Sequence, residues 1–170
     1  MFHRILVAID QDPAMAQEVF SEALALAVAQ HATLHILQVL DPLKSTYPDP
    51  LYLTLGGSLG PLNTQAFGAY VSQWREAEQE SLAQLQGYLE EALTAGVTAL
   101  TSQRVGDPGR EICALAQEWS ADLILLGRRG RKGLGELLLG SVSNFVMHRA
   151  GCAVLIVQGK VAQPISVGSH

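Results

Sequence analysis

Two short segments of the chain have residue types and spacing suited to holding negatively charged oxygen atoms. One is Gly127-Arg128-Arg129-Gly130; the other, after nine intervening residues, is Gly140-Ser141-Val142-Ser143. Glycine lacks a Cβ, so its backbone N–H can approach an anion closely and positive φ is allowed. A helix starting at Gly140 would point its first N–H groups, with their partial positive charge, at the same anion. Ser141 and Ser143 would add hydroxyl donors. Arg128, Arg129, Arg131 and Lys132 supply local positive charge, and one or two of them are expected to reach a phosphate. Asp10 is the third component. A carboxylate beside phosphates is repulsive unless a cation intervenes or a sugar hydroxyl bonds it, so Asp10 is expected to hold Mg²⁺, with Mn²⁺ as the alternative, or a ribose.

Other chemistries are disfavoured by what the same residues lack. A P-loop needs GxxxxGK[ST], and no Lys-Ser or Lys-Thr follows these glycines. A dinucleotide fingerprint needs GxGxxG after the first strand, where this chain has Ile9-Asp10-Gln11-Asp12. There is no HExxH and no GxSxG, and His31 and His35 fall across a turn rather than on one helix face. His35 is expected to be an outward strand residue rather than a base. No residue is assigned a catalytic role.

The elements that must position these groups follow from the apolar pattern. Arg4–Ile9, Thr33–Val39, Val97–Val105, Asp122–Leu126 and Ala153–Val157 read as strands, and their continuous apolar runs suit a parallel sheet covered on both faces. Asp12 as cap and Pro13 at the first helical position predict a helix to Gln30. Further helices are expected over Val71–Ala95, from Pro108 to about Trp119, and over Ser141–Arg149. The second of the four would present Trp74, Leu82, Leu85, Leu89 and Leu93 to the core. Residues 41–70, rich in Pro and Gly, form a long variable connection read as a lid or partner-contact segment. One short helical turn is expected within Gly127–Leu139, and 158–170 is a flexible tail.

Strands alternating with helices give a doubly wound, Rossmann-like α/β sheet of order 3-2-1-4-5, with helices on both faces. Ligands in such sheets sit beyond the carboxyl ends of the strands where the order reverses. Those ends carry Ala8, Ile9 and Asp10 on one strand and Leu126, Gly127 and Gly130 after the other.

At this point the residues resemble a known family. Gly127-x-x-Gly130, nine residues, then Gly140-Ser141 is similar to the G-x-x-G-(nine)-G-S/T pattern of the universal stress protein family. Val7-Ala8-Ile9-Asp10 and the ending Cys152-Ala153-Val154-Leu155-Ile156-Val157 also match, so the likeness runs from Phe2 to Val157 within a domain of 1–157. The complete pattern is that of the nucleotide-binding branch, which implies ATP with Mg²⁺. The resemblance implies that Ala8 and Asp10 lie near adenine, ribose and metal-bound phosphates. It implies that Val39 meets adenine with its backbone, that Gly127, Arg129 and Gly130 border ribose and phosphates, and that Gly140, Ser141, Val142 and Ser143 hold the phosphates. It further implies a homodimer through the last strand, Val154–Val157. The expected function is that of an ATP-binding stress-response or regulatory protein acting on an unknown signalling partner, with at most slow hydrolysis. A nucleotide-free dimeric scaffold and a nucleotide-dependent transferase or hydrolase are the alternatives.

Composition sets the remaining bounds. The 170 residues are 48% hydrophobic and only 16% charged, enough for one core and suggestive of a face covered by a partner. A net charge of −5 argues against general nucleic-acid binding. No apolar run is long enough for a membrane span, Met1-Phe2-His3-Arg4 is unlike a signal peptide, and Cys113 and Cys152 form no metal or CxxC pattern, so a cytoplasmic protein with buried reduced thiols is expected.

Overall fold

The computed structural model describes residues 1–42, 62–128 and 140–158, without the side chains of 62–67 and 70. Of the expected connection over 41–70, residues 43–61 lie outside the described residues, as do 129–139 of the stretch Gly127–Leu139 expected to hold a helical turn and 159–170 of the expected tail 158–170. The elements are β1 (Arg4–Ile9), α1 (Pro13–Gln30), β2 (Thr33–Leu40), α2 (Leu62–Thr94), β3 (Ala99–Val105), α3 (Pro108–Glu118), β4 (Leu123–Arg128), α4 (Ser141–Arg149) and β5 (Ala153–Gln158). All neighbouring strands pair in parallel in the order β3-β2-β1-β4-β5, the predicted topology.

Local chemistry fixes the helix ends. The Asp12 carboxylate accepts from the N–H groups of Ala14 at 3.0 Å and Met15 at 3.4 Å, and Pro13 follows at the position that lacks a bonded N–H anyway. Asp107 caps α3 in the same way, accepting from Arg110 N–H at 2.9 Å, with Pro108 next. Gly96, at φ 79°, stops α2, and the Val97 N–H returns to the Ala92 carbonyl at 3.0 Å.

Side-chain alternation splits the core into two layers. Ile5, Val7 and Ile9 of β1, Leu34 and Ile36 of β2 and Leu123 and Leu125 of β4 pack under α1 and α2. Leu6, Ala8, Leu37, Val39, Ile124 and Leu126 face the opposite way, under Ile112, Leu115 and Ala116 of α3 and Val146 of α4. Gln38 is buried in β2, but its amide is satisfied: its Oε1 accepts from Ser81 Oγ at 2.6 Å and its Nε2 donates to Gln84 Oε1 at 3.1 Å, which fixes α2 across β2. The outer strands β3 and β5 are only partly covered, and Leu155 of β5 is 44% exposed.

Three expectations need correction. Helix α2 begins at Leu62, not Val71, because the stretch after Pro61 contains no further proline and its one glycine, Gly68, is accommodated within the helix. Its core stripe is Ser81, Leu85 and Ala92 with Tyr88 beside them, whereas Leu82 and Leu93 are more than half exposed. Strand β3 begins at Ala99, since Gly96 and Val97 close the preceding helix.

Candidate functional site

The order of the sheet reverses between β1 and β4, which pair through Ala8 opposite Leu126. From β1 the chain crosses towards β2, and from β4 towards β5, so the two crossovers diverge at the carboxyl ends of adjacent strands. Ala8, Val39 and Leu126, each at most 9% exposed, share the α3–α4 face, with Ala8 between Leu37 and Leu126 and Val39 two residues beyond Leu37, and make an apolar floor with Ile112 and Val146. Ile9 lies on the other face, buried under α1, so it can offer this end only its backbone.

Asp10 is half-buried just past the end of β1, and its Oδ1 accepts the Asp12 N–H at 2.9 Å. That bond orients the carboxylate at the strand end, while Asp12 is committed to capping α1. Among the described residues, no group of three or more His, Cys, Asp or Glu could hold a metal by itself. One oriented carboxylate suits Mg²⁺ of the kind that takes most of its ligands from phosphate and water.

Gly127 was expected to begin the turn after the fourth strand. It lies instead inside β4, opposite Val157, and its φ is not positive. The reason for glycine there is helix packing. A Cβ at Gly127 would sit 2.6 Å from both Cγ and Sδ of Met15 and 2.9 Å from Cγ2 of Val19. Helix α1 therefore lies directly on the bare backbone of β4. Arg129 and Gly130 lie outside the described residues.

Helix α4 starts where the sequence placed it. Gly140 is its N-cap with φ −59° and ψ 157°, and no side chain caps it. The first helical bond runs from Asn144 N–H to the Gly140 carbonyl at 2.9 Å, which leaves the N–H groups of Ser141, Val142 and Ser143 ahead of the bonded ladder. Ser141 is exposed. Ser143 is buried, and its hydroxyl donates to the Gly140 carbonyl at 3.2 Å, so Ser143 can offer a ligand its N–H but not that proton. Among the described residues a Cβ at Gly140 would meet only Ser143 Oγ at 3.5 Å, an ordinary contact. The helix is held in place by α3, whose Gly109 sits so close to Phe145 that a Cβ would come within 2.8 Å of the ring.

The sequence offered Arg128 as one of four basic candidates for phosphate, and the family resemblance pointed to Arg129. Arg128 ends β4, and its Nε is buried without a hydrogen-bond partner. The signal was present, because a basic residue directly continuing a buried strand cannot be wholly solvated.

His35 lies elsewhere and is not the outward residue expected. It is buried, its Nε2 is 2.7 Å from Ser102 Oγ, and its ring meets Trp119 edge-on at 4.9 Å. Burial, helped by the Arg104 cation, lowers its pKa from the ordinary imidazole value. Arg104 is in turn held by Glu118 and by Glu111. Cys113 and Cys152 are free and half-buried, and burial raises both thiols above their ordinary value.

With this geometry in view, the profile of the universal stress protein family matches residues 1–158. The chain belongs to the universal stress protein family. It is 36% identical to universal stress protein Sll1388 of Synechocystis over 158 residues, covering 92% of this chain and 98% of that one. The hypothetical protein MJ0577, solved as a test case of structural genomics, shares the fold at TM-score 0.72 with 21% identity, over 94% of this universal stress protein and 98% of that chain. A universal stress protein solved in complex with cAMP aligns at TM-score 0.60 and 24% identity, over 94% and 98% of the two chains.

Proposed function

We propose that this universal stress protein is a cytoplasmic ATP-binding regulator whose nucleotide occupancy alters its contacts with a signalling partner, with hydrolysis slow at most. The observation that carries the reading is the start of α4 at Gly140–Ser143, uncapped by any side chain among the described residues and held on the same layer as the apolar floor of Ala8, Val39 and Leu126. An apolar floor suits a base, and free helical N–H groups suit phosphates. Asp10 would hold Mg²⁺ against the phosphate oxygens. That a fold relative was solved with cAMP supports a nucleotide of this class. Slow turnover follows because the described groups position and neutralise phosphates without a free general base beside them.

Mass spectrometry of small molecules released from freshly purified protein should find an adenine nucleotide. Calorimetry with ATP should give saturable binding that Asp10→Ala weakens more with Mg²⁺ present than without it. Protein that carries no nucleotide and takes up none would leave the scaffold reading in its place.

The same proposal includes a homodimer through β5. Among the described residues its outer edge pairs with no strand, Leu155 is 44% exposed and Val154–Val157 is an uninterrupted apolar run. Two such edges brought together across a two-fold axis would bury both. Leu155→Lys should convert a sedimenting dimer to a monomer of unchanged secondary structure; a wild-type monomer, or an unaffected dimer, would rule this interface out.

A further inference from the structure

Arg128 is partly exposed at the end of β4, but the Nε of its guanidinium is cut off from solvent. Along β4, Leu126 faces the α3–α4 layer and the bare side of Gly127 faces Met15 of α1, so alternation turns Arg128 back to the α3–α4 layer. That is the layer of the α4 start, and Arg128 stands at the same end of the sheet. It is two residues past Leu126, just as Asp10 is two residues past Ala8, the register partner of Leu126. On its other side its register partner is Gln158, a neutral amide. The Nε of Arg128 is buried and has no hydrogen-bond partner.

An N–H donor such as Arg128 Nε that is cut off from water and left without a partner opposes folding, and a ligand oxygen delivered to this guanidinium recovers that loss on binding. Its planar fork of N–H donors matches phosphate oxygens, and the partial positive charge of the α4 start points to the same ligand.

We infer that Arg128 is a phosphate receptor that sets the preference of this site for nucleotides with longer phosphate chains. The inference rests on the nucleotide reading given above. Arg128 does not contact the base. Its contribution therefore grows with the charge of the phosphate chain and vanishes for the nucleoside.

The test is calorimetry of adenosine, AMP, ADP and ATP, without metal, on the wild type, Arg128→Lys and Arg128→Met. The wild type should bind more tightly with each added phosphate. Arg128→Met should weaken ATP by at least about tenfold and leave adenosine unchanged, with Arg128→Lys between them. Thermal unfolding without ligand gives an independent readout: Arg128→Met should melt at or above the wild-type temperature, because it removes a buried N–H donor that has no partner among the described residues. An equal loss for all four compounds, no loss for any, or a lower melting temperature for Arg128→Met would assign Arg128 a structural role and overturn the inference while leaving nucleotide binding standing. A wild type that binds none of the four overturns both.

Discussion

Ser141→Pro is expected to weaken ATP binding by about 100-fold while leaving the fold intact. Proline at this position removes both the hydroxyl and the N–H that the start of α4 offers. Hydrogen bonds to a charged group contribute about 1.5–3 kcal/mol each, so losing two reaches that factor. The backbone already accommodates the ring. Ser141 is the first residue of α4, the position at which proline is favoured in helices, and the preceding Gly140 has ψ 157°, the extended conformation required before proline. Ser141 is exposed, so no packing is lost. Ser141→Ala, which keeps the N–H, should lose only about tenfold. Calorimetry and thermal unfolding together decide the matter. Unchanged ATP affinity would place the phosphates elsewhere, and a falling melting temperature would show a structural defect instead.

The second large effect is on stability. Gly127→Val should cost about 3 kcal/mol or more, equivalent to roughly 10 °C in Tm, because Cβ alone would enter the space of Met15 and Val19, and valine adds two methyl groups. Any loss of nucleotide binding in this variant would then follow from displaced α1, whose first turn adjoins Asp10. The source of the penalty can be isolated with Gly127→Ala. Its cost should shrink in a Met15→Ala background, which deletes the two atoms 2.6 Å from the added carbon. Urea unfolding of the four proteins measures this cycle. Additive effects would mean that the contact is not what excludes a side chain at Gly127.

The contrast between the two segments shows what could be read from the sequence. Strand order and the ends of α1 were legible because each rests on local chemistry: Asp12-Pro13 and Asp107-Pro108 announce helix starts, and continuous apolar runs announce covered parallel strands. The start of α4 was legible for the same reason. Gly127 was legible as a glycine but not in its purpose, since only the position of α1 reveals what its missing side chain admits. The phase of α2 was misjudged because leucines at 82 and 93 share helical spacing with Leu85 and Leu89, and three-and-four-residue steps define a stripe without saying which edge of it meets the sheet. His35 turned inward because β2 is covered on both faces, leaving no solvent side for an alternating residue to take. Arg128 stood among four basic candidates without being singled out, since residue type alone cannot tell which of two adjacent arginines continues a strand.

The two borders of the sheet are chemically unlike, and that limits how copies of the chain can add to one another. At β3 the run Thr101-Ser102-Gln103-Arg104 is polar, and its side chains already have work within the subunit: Gln103 donates to the Glu78 carbonyl at 3.0 Å, and Arg104 is drawn onto α3 by Glu111 and Glu118. The exposed apolar residues of β3, Leu100 and Val105, only flank that polar run, whereas β5 carries the uninterrupted apolar run Val154–Val157. If the proposed dimer forms through β5, the polar middle of β3 offers a further copy no matching apolar strand on which to extend the sheet.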